Sequence, residues 1–154
     1  MAIKIKEELK EILADEDTIK VIASVDLEGK PHVVVKGSIS LNENNQIRYL
    51  EFLENSRTNK NLLASLWFDK TLAITVLSKD RRSFQIKGRP IRTSIAGREF
   101  EEEYKKAQER HPDNDLSAIY YIDVDEIIEE TYSVRRAEES KKNPLYVHLD
   151  RLTK

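Results

Sequence analysis

The stretch TIKVIASVDLEGKPHVVVKGSISLNENNQIRYLEFL, residues 18–53, contains three runs rich in β-branched residues, separated by polar turns. Gly29 and Pro31 mark the first turn, and the polar segment NENNQ at 42–46 marks the second. β-Branched residues favour strands, whereas Gly, Pro and Asn favour the tight turns between them. The stretch therefore predicts three strands joined as a meander, at 18–26, 32–42 and 46–53.

The rest of the chain extends this pattern in both directions. Apolar residues at helical spacing predict helices over 2–14, 54–66 and 96–112. Further strands are predicted at 71–78, 83–93, 117–124 and 127–134, and a last ordered segment at 145–152. Pro90 predicts an edge or a bulge in the strand 83–93. Closely spaced strands with few helices predict a mainly β protein, a closed or partly closed antiparallel barrel, in one domain spanning 1–154.

Composition excludes several classes of function. The 154 residues carry a formal net charge of −2, which argues against a dedicated nucleic-acid binder. The chain has no cysteine, and its three histidines lie far apart, so neither thiolate nor histidine metal sites are expected. No stretch reaches the roughly 18 apolar residues of a membrane span and no signal peptide is recognised, so we expect a cytoplasmic protein.

A polar cluster opens the predicted helix 54–66. Ser56, Arg57, Thr58 and Asn61 lie where unpaired backbone N–H groups and the positive end of the helix dipole favour an anion. The alternative is structural, because Ser and Asn commonly cap helices and surface arginines are commonly solvated. The four glycines form no Gly-rich phosphate loop, so a phosphate ligand would need side chains of this kind.

Two strands carry polar residues on a defined face. In the strand 32–42, alternation places Val34 and Lys36 on one face and Val33, Val35 and Gly37 on the other. In the strand 83–93, a polar row lies opposite Phe84 and Ile86, and it consists of Ser83, Gln85 and Lys87. A solvated lysine and a half-wet sheet face explain the same patterns without a ligand.

Three segments together resemble a known family. GKPHVVVKG at 29–37, RYLEFLENSRTNKNL at 48–62 and SFQIKGRPIRT at 83–93 are similar, in this order, to the FMN-binding split barrels of the pyridoxamine 5′-phosphate oxidase-like superfamily. The resemblance covers about residues 8–134. It implies a Greek-key antiparallel six-stranded barrel. It also implies a homodimer with one FMN in each of two clefts between the subunits.

The resemblance also implies which residues contact the cofactor. Ser56, Arg57 and Thr58 match the segment that holds the flavin phosphate, beside Asn61. The positions along the flavin ring match Val34, Val35, Lys36 and Gly37, and the end of the third strand matches Glu51 and Phe52. A cofactor-contacting glutamine is matched by Gln85 or, with a shift of register, replaced by Ser83. A lysine near the ring, here Lys36, would stabilise the reduced anionic flavin and raise its potential.

The reaction is less defined than the fold. The oxidases carry a C-terminal region rich in tryptophan and arginine, whereas this chain has one tryptophan, Trp67, and only His148 and Arg151 near its end. No substrate residue is therefore assigned, and no side chain is assigned as catalytic. We expect an FMN-dependent oxidoreductase that acts on an unidentified small molecule. The alternative is a protein without turnover: an FMN-binding electron carrier or a flavin- or heme-binding protein.

Overall fold

The computed structural model of the chain describes residues 3–144. The predicted segment 145–152, with His148 and Arg151, lies outside this range. The helices are α1 (Glu7–Ala14), α2 (Arg57–Phe68), α3 (Arg98–Arg110) and α4 (Tyr132–Lys142). The strands are β1 (Ile19–Val25), β2 (Pro31–Val35), β3 (Ile39–Leu41), β4 (Ile47–Glu51), β5 (Leu72–Leu77), β6 (Ser83–Ser94) and β7 (Ala118–Glu129).

All seven strands belong to one antiparallel sheet, in the order β2-β1-β5-β6-β7-β4-β3. The two edge strands, β2 and β3, are consecutive in the chain. The Lys36 amide donates to Lys20 on β1 (2.9 Å), and the Leu50 amide on β4 donates to the Ser38 carbonyl (3.2 Å). Only Gly37 separates these two pairings, so the sheet curls until its edges nearly meet. The prediction of a mainly β protein is confirmed. The resemblance implied six strands, and the sheet has that number when β2 and β3 are counted as one strand that bends at 36–38.

Two strand predictions differ from the structure. The strand predicted at 32–42 breaks at 36–38, where the chain passes from one sheet edge to the other. The two strands predicted at 117–124 and 127–134 are one strand, β7, followed directly by α4. The register shifts by one residue at Asp125, between the pairs Lys87 with Glu126 and Gly88 with Val124. This bulge interrupts the apolar alternation while the backbone pairing continues.

Pro90 lies at a second bulge. Pro90 pairs with Ile122 and Arg92 with Tyr121, which leaves Ile91 as the extra residue of β6. Because β6 lies between β5 and β7, it is not an edge strand. The bulge alternative is correct and the edge alternative is wrong.

The barrel interior is apolar with a few buried polar side chains. Inward residues of β1 alternate as Lys20, Ile22 and Ser24. The Lys20 ammonium donates to the Ile39 carbonyl on β3 (2.8 Å), across the seam between the sheet edges, and burial lowers the pKa of this lysine. Helix α2 packs on the barrel through the fully buried Leu62, and its Asn61 amide donates to the Ser24 hydroxyl (3.0 Å). These contacts fix the start of α2 relative to β1.

Candidate functional site

A buried carboxylate lies at the start of α2. Glu51, at the end of β4, is 1 % exposed. Its carboxylate accepts hydrogen bonds from the Tyr49 hydroxyl (2.6 Å) and from the Ser56 hydroxyl, and the Lys36 ammonium lies 3.5 Å away. A buried charge is tolerated when it is paired and hydrogen-bonded, as Glu51 is. The fold brings three predicted ligand residues, Lys36, Glu51 and Ser56, into one contact network.

The tyrosines beside this network remain protonated. Burial, followed by the hydrogen bond to Glu51, raises the pKa of Tyr49 above its usual range. Burial and the charge of Glu51 also raise the pKa of Tyr120, whose hydroxyl donates to the Asn59 side chain on α2. Both phenols therefore serve as donors. Lys36 is the cation that contacts Glu51 within residues 3–144.

Ser56 caps α2 and is already engaged. Its hydroxyl oxygen accepts the Asn59 amide (3.0 Å), and its only proton is donated to Glu51. Ser56 therefore has no free donor for a phosphate in this conformation. The predicted phosphate cluster is split: Ser56 faces the buried carboxylate, whereas Arg57 is exposed on the other side of the helix start.

Arg57 lines a cleft that we call the basic cleft. Its volume is about 500 Å³, and it lies between the first two turns of α2 and the β1–β2 hairpin. It is lined by Asp26, Leu27, Glu28, Lys30, Pro31, His32, Arg57, Lys60, Asn61 and Ala64.

Some charged groups of the basic cleft have partners, and others have none within residues 3–144. The Asp26 carboxylate accepts the backbone amides of Glu28 and Lys30 (2.9 Å each), and Glu28 lies 3.7 Å from the Lys30 ammonium. Arg57 and Lys60 form no ion pair with any residue in the range 3–144. Two free cations in one cleft at a helix N-terminus favour an anion.

The residues at this helix start fit a phosphate in part. The Arg57 guanidinium offers a planar fork for phosphate oxygens, and Lys60 adds a second charge one turn later. The Thr58 hydroxyl is buried and lacks a hydrogen-bond partner within the described part of the chain. Such an unsatisfied group is uncommon in a folded protein. Asn61, also predicted, lines the cleft but donates to Ser24.

The outer face of the sheet is apolar on β2 and carries the polar row (Ser83, Gln85 and Lys87) on β6. Val33 and Val35 on β2 are 63 % and 65 % exposed. The pairing register continues this face from Val35 through Val21 and Thr75 to Gln85. Gln85 is thus three strands from Val35, roughly 14 Å at the usual strand spacing. Within one subunit, Ser83 and Gln85 do not lie beside the β2 residues with which the resemblance groups them.

The remaining predicted residues point in different directions. The Val34 side chain packs against the main core, and Phe52 packs in a smaller cluster beneath α3 with Leu116, Ile119 and Tyr121. At Gly37, an added Cβ would meet no atom within 4 Å, so the backbone there is open to an approaching molecule. Val35 and Gly37 are the ring-site predictions that face outward.

Sequence reasoning named only Arg57 and Asn61 among the residues that line the basic cleft, and it missed the two with the most relevant chemistry, His32 and Lys60. Both had a signal in the sequence: His32 precedes Val34 and Lys36 on the same strand face, and Lys60 follows Arg57 by three residues on the helix. Within residues 3–144, no group of three or more His, Cys, Asp or Glu residues is arranged to hold a metal ion. No described helix has the length and apolar character needed to cross a bilayer.

Comparison with known proteins identifies the fold. No protein-family model and no curated protein sequence matches the chain. The solved structure of HupZ from Group A Streptococcus is similar at 21 % identity and a TM-score of 0.68, covering 84 % of this chain and 96 % of that one. An FMN-binding protein from Syntrophomonas wolfei is similar at 14 % identity and a TM-score of 0.59, with coverages of 79 % and 85 %.

A third structure extends the range of ligands found on this fold. HutZ, the heme storage protein of Vibrio cholerae, is similar at 15 % identity and a TM-score of 0.55, covering 82 % of this chain and 95 % of that one. At these identities the likeness establishes architecture, and function must be argued from the site. The chain has the split-barrel fold, which solved structures described as putative pyridoxamine 5′-phosphate oxidases also have.

Proposed function

We propose that this protein binds FMN, with the phosphate in the basic cleft. The observation that carries the proposal is the pair of cations at the start of α2, Arg57 and Lys60, which form no ion pair within residues 3–144. Arg57 would bind the phosphate oxygens in a charge-assisted, bidentate manner, and Lys60 would balance the second negative charge. The flavin itself would accept hydride or electrons, while the chain binds and orients it.

The proposal includes a homodimer. The apolar outer face around Val33 and Val35 lacks a cover within the described chain, and the polar row at Ser83 and Gln85 lies on the same face. A two-fold axis would place the polar row of one subunit against the β2 face of the other. This arrangement supplies the Gln85 contact that a single subunit does not offer, and it leaves one ligand in each of two equivalent clefts.

Oxidoreductase activity is the first candidate within this proposal, and electron transfer is the second. An enzyme needs an open face beside the flavin where a substrate stacks, together with polar anchors for that substrate. Ser83, Gln85 and Lys87 are half-buried on the outer sheet face and offer such anchors. An electron carrier needs only an exposed ring edge. The polar row therefore favours an enzyme with a small-molecule substrate.

A heme-binding protein is the candidate that competes with FMN. The basic cleft contains His32, an imidazole of the kind that ligates heme iron, and Arg57 and Lys60 would pair with the two propionates. Leu27, Pro31 and Ala64 add apolar contact at the same cleft. FMN remains the first candidate because the start of α2 is suited to one compact dianion.

Titration of the purified protein tests the ligand. We expect FMN to bind at one per subunit, with a perturbed flavin absorbance spectrum, and more tightly than FAD or heme. Anaerobic stopped-flow mixing of the loaded protein with NADH, NADPH and other reductants then separates the two FMN roles. Reduction that saturates with one donor supports an enzyme, and exchange with redox proteins alone supports a carrier. Tighter binding of heme, lost in His32→Ala, would contradict the FMN assignment.

The dimer is tested by replacing an exposed apolar residue of its proposed interface. We expect sedimentation of the wild-type protein at micromolar concentration to give a dimer, because large exposed apolar patches mark interaction sites. Val35→Lys places a charge on this face of both subunits and is expected to give monomers that bind FMN weakly. Ile95→Lys, at an exposed apolar residue outside this face, is the control. A monomeric wild-type protein would remove half of each proposed FMN cleft.

A further inference from the structure

Helix α2 exposes large apolar side chains on the side turned away from the barrel. On its inner side, Leu62 is fully buried and Ser65 is 1 % exposed. On its outer side, Leu63, Trp67 and Phe68 are 39 %, 82 % and 61 % exposed. Leu63 and Trp67 are four residues apart, so they are neighbours on the helix surface. We call these three exposed residues the aromatic face.

The aromatic face continues into the basic cleft along one side of the helix. Lys60 and Trp67 are seven residues apart, which places them on the same side of α2 and about 10 Å apart along its axis. Ala64, which lines the cleft, lies one turn before Phe68, and Leu27 on the facing hairpin is also exposed. Contiguous exposed apolar surface of this kind marks an interaction site.

The charges without ion pairs next to the aromatic face are positive. Lys60 precedes Trp67 by two turns, and Lys70 follows it by three residues, with its backbone amide bonded to the Ser65 carbonyl (3.1 Å). Neither lysine forms an ion pair within residues 3–144. Asp69, which caps the end of α2, lies 3.0 Å from the guanidinium of Arg89 on β6. This carboxylate is therefore already neutralised.

The start of α2 carries charges of both signs. Arg57 lies there with Asp26 across the cleft and with Glu54 in the preceding loop, and none of the three forms an ion pair within the described range. The excess of positive charge therefore lies at the other half of the helix, beside the apolar surface.

An anionic bilayer matches both properties of this surface. Aromatic rings are favoured at the boundary between headgroups and acyl chains, and lysines extend their ammonium groups to the phosphates above it. A second copy packed on the same face about a two-fold axis would bring the same lysines together, and like charges oppose such a contact. An acidic protein surface would pair with the lysines but would cover the rings with charged groups.

We propose that the aromatic face binds the surface of anionic lipid bilayers, with Trp67 and Phe68 at headgroup level and Lys60 and Lys70 at the lipid phosphates. The chain lies on the bilayer and does not cross it. This function is additional to the binding of FMN and does not depend on it, so the protein without added FMN is the material for its test.

The fluorescence of Trp67 tests the proposal, because this residue is the only tryptophan of the chain. The full chain is titrated with vesicles made of equal parts of phosphatidylcholine and phosphatidylglycerol, and separately with vesicles of phosphatidylcholine alone. We expect the anionic vesicles to shift the emission to shorter wavelength, and binding to the neutral vesicles to be weaker by about tenfold or more. Added salt should weaken binding to the anionic vesicles, since it screens the lysines.

Single variants assign the binding to this face. Trp67→Ala, measured by co-sedimentation with the anionic vesicles, is expected to weaken binding by about tenfold through the loss of buried aromatic surface. Lys70→Gln is expected to weaken it by about fivefold. Tyr132→Ala removes an exposed aromatic residue on α4 and is the matched control, with binding unchanged. Circular dichroism of each variant reports on folding, which these exposed positions should not affect.

Four results would overturn the inference. The first two are equal binding to both kinds of vesicle, or to neither, and a Trp67→Ala protein that co-sediments like the wild type. The third is a shift of Trp67 emission to shorter wavelength when only the protein concentration rises, which would show that a second copy covers the face. The fourth is binding to polyglutamate without binding to anionic vesicles, which would identify an acidic protein segment as the partner.

Discussion

Replacing Arg57 by alanine is expected to weaken FMN binding by about 10- to 100-fold, which corresponds to the loss of one or two charge-assisted phosphate bonds. Arg57 is exposed and forms no ion pair within residues 3–144. Its removal should therefore leave the melting temperature of the apo-protein within the small range usual for surface substitutions. Fluorescence titration with FMN, together with thermal melting of the apo-protein, measures both quantities.

Matched variants make the Arg57 result specific. Lys60→Ala removes the second cation of the basic cleft and is expected to weaken FMN by a smaller factor, because a point charge binds a phosphate less specifically than a guanidinium fork. Arg98→Ala, at a highly exposed arginine paired with Glu102 on α3, should leave affinity unchanged. An Arg57→Ala protein that unfolds, while its folded fraction binds FMN normally, would show that the arginine is structural.

Replacing Gly88 by alanine is expected to lower the free energy of unfolding by roughly 2–3 kcal/mol. Gly88 lies on β6 beside the Asp125 bulge of β7. An added Cβ would overlap the Asp123 backbone carbonyl and approach the Ile122 Cγ2 atom at 3.0 Å. Because a backbone atom in a central strand moves only with its neighbours, the clash must spread through the β6–β7 pairing. Thermal unfolding should show a melting temperature lower by roughly 5–10 °C.

Gly37→Ala is the control for this effect. At Gly37 an added Cβ has no neighbour within 4 Å, and the backbone is not in the left-handed region. The same substitution should therefore leave the apo-protein as stable as the wild type or slightly more stable, through a smaller entropy of the unfolded chain. A change in unfolding free energy at Gly88 as small as the change at Gly37 would mean that a small local shift relieves the close approach at Gly88.

The strands were predictable from local patterns, and the exceptions have local causes. The period-two alternation in residues 83–93 correctly separated the buried Phe84 and Ile86 from the polar row. The division of β7 into two strands was wrong, because a bulge at Asp125 shifts the alternation while the hydrogen bonds continue. Helix α4 was missed since it has no buried residue, and therefore no apolar stripe marks it in the sequence.

The site was predictable as a set of residues but not as an arrangement. The order of the three motifs pointed to the split barrel, and the cluster 56–61 pointed to the start of α2. That Ser56 turns inward to Glu51 while Arg57 turns outward to the basic cleft follows from which side of the helix packs on the barrel. The partner of Lys36 was equally hidden, since Glu51 is fifteen residues away in the chain and on a different strand.

The sequence by itself determined most of the strands, their turns and the helix start with its cap, because each depends on residues within a few positions of one another. The absence of cysteine chemistry follows from composition alone. Only the tertiary structure decided that β2 and β3 become opposite edges of one curled sheet, that His32 joins Arg57 and Lys60, and that Glu51 neutralises Lys36. Those features depend on contacts between residues distant in the chain, which are fixed by how the sheet closes and which face of α2 is buried. Local periodicity carries no information about either.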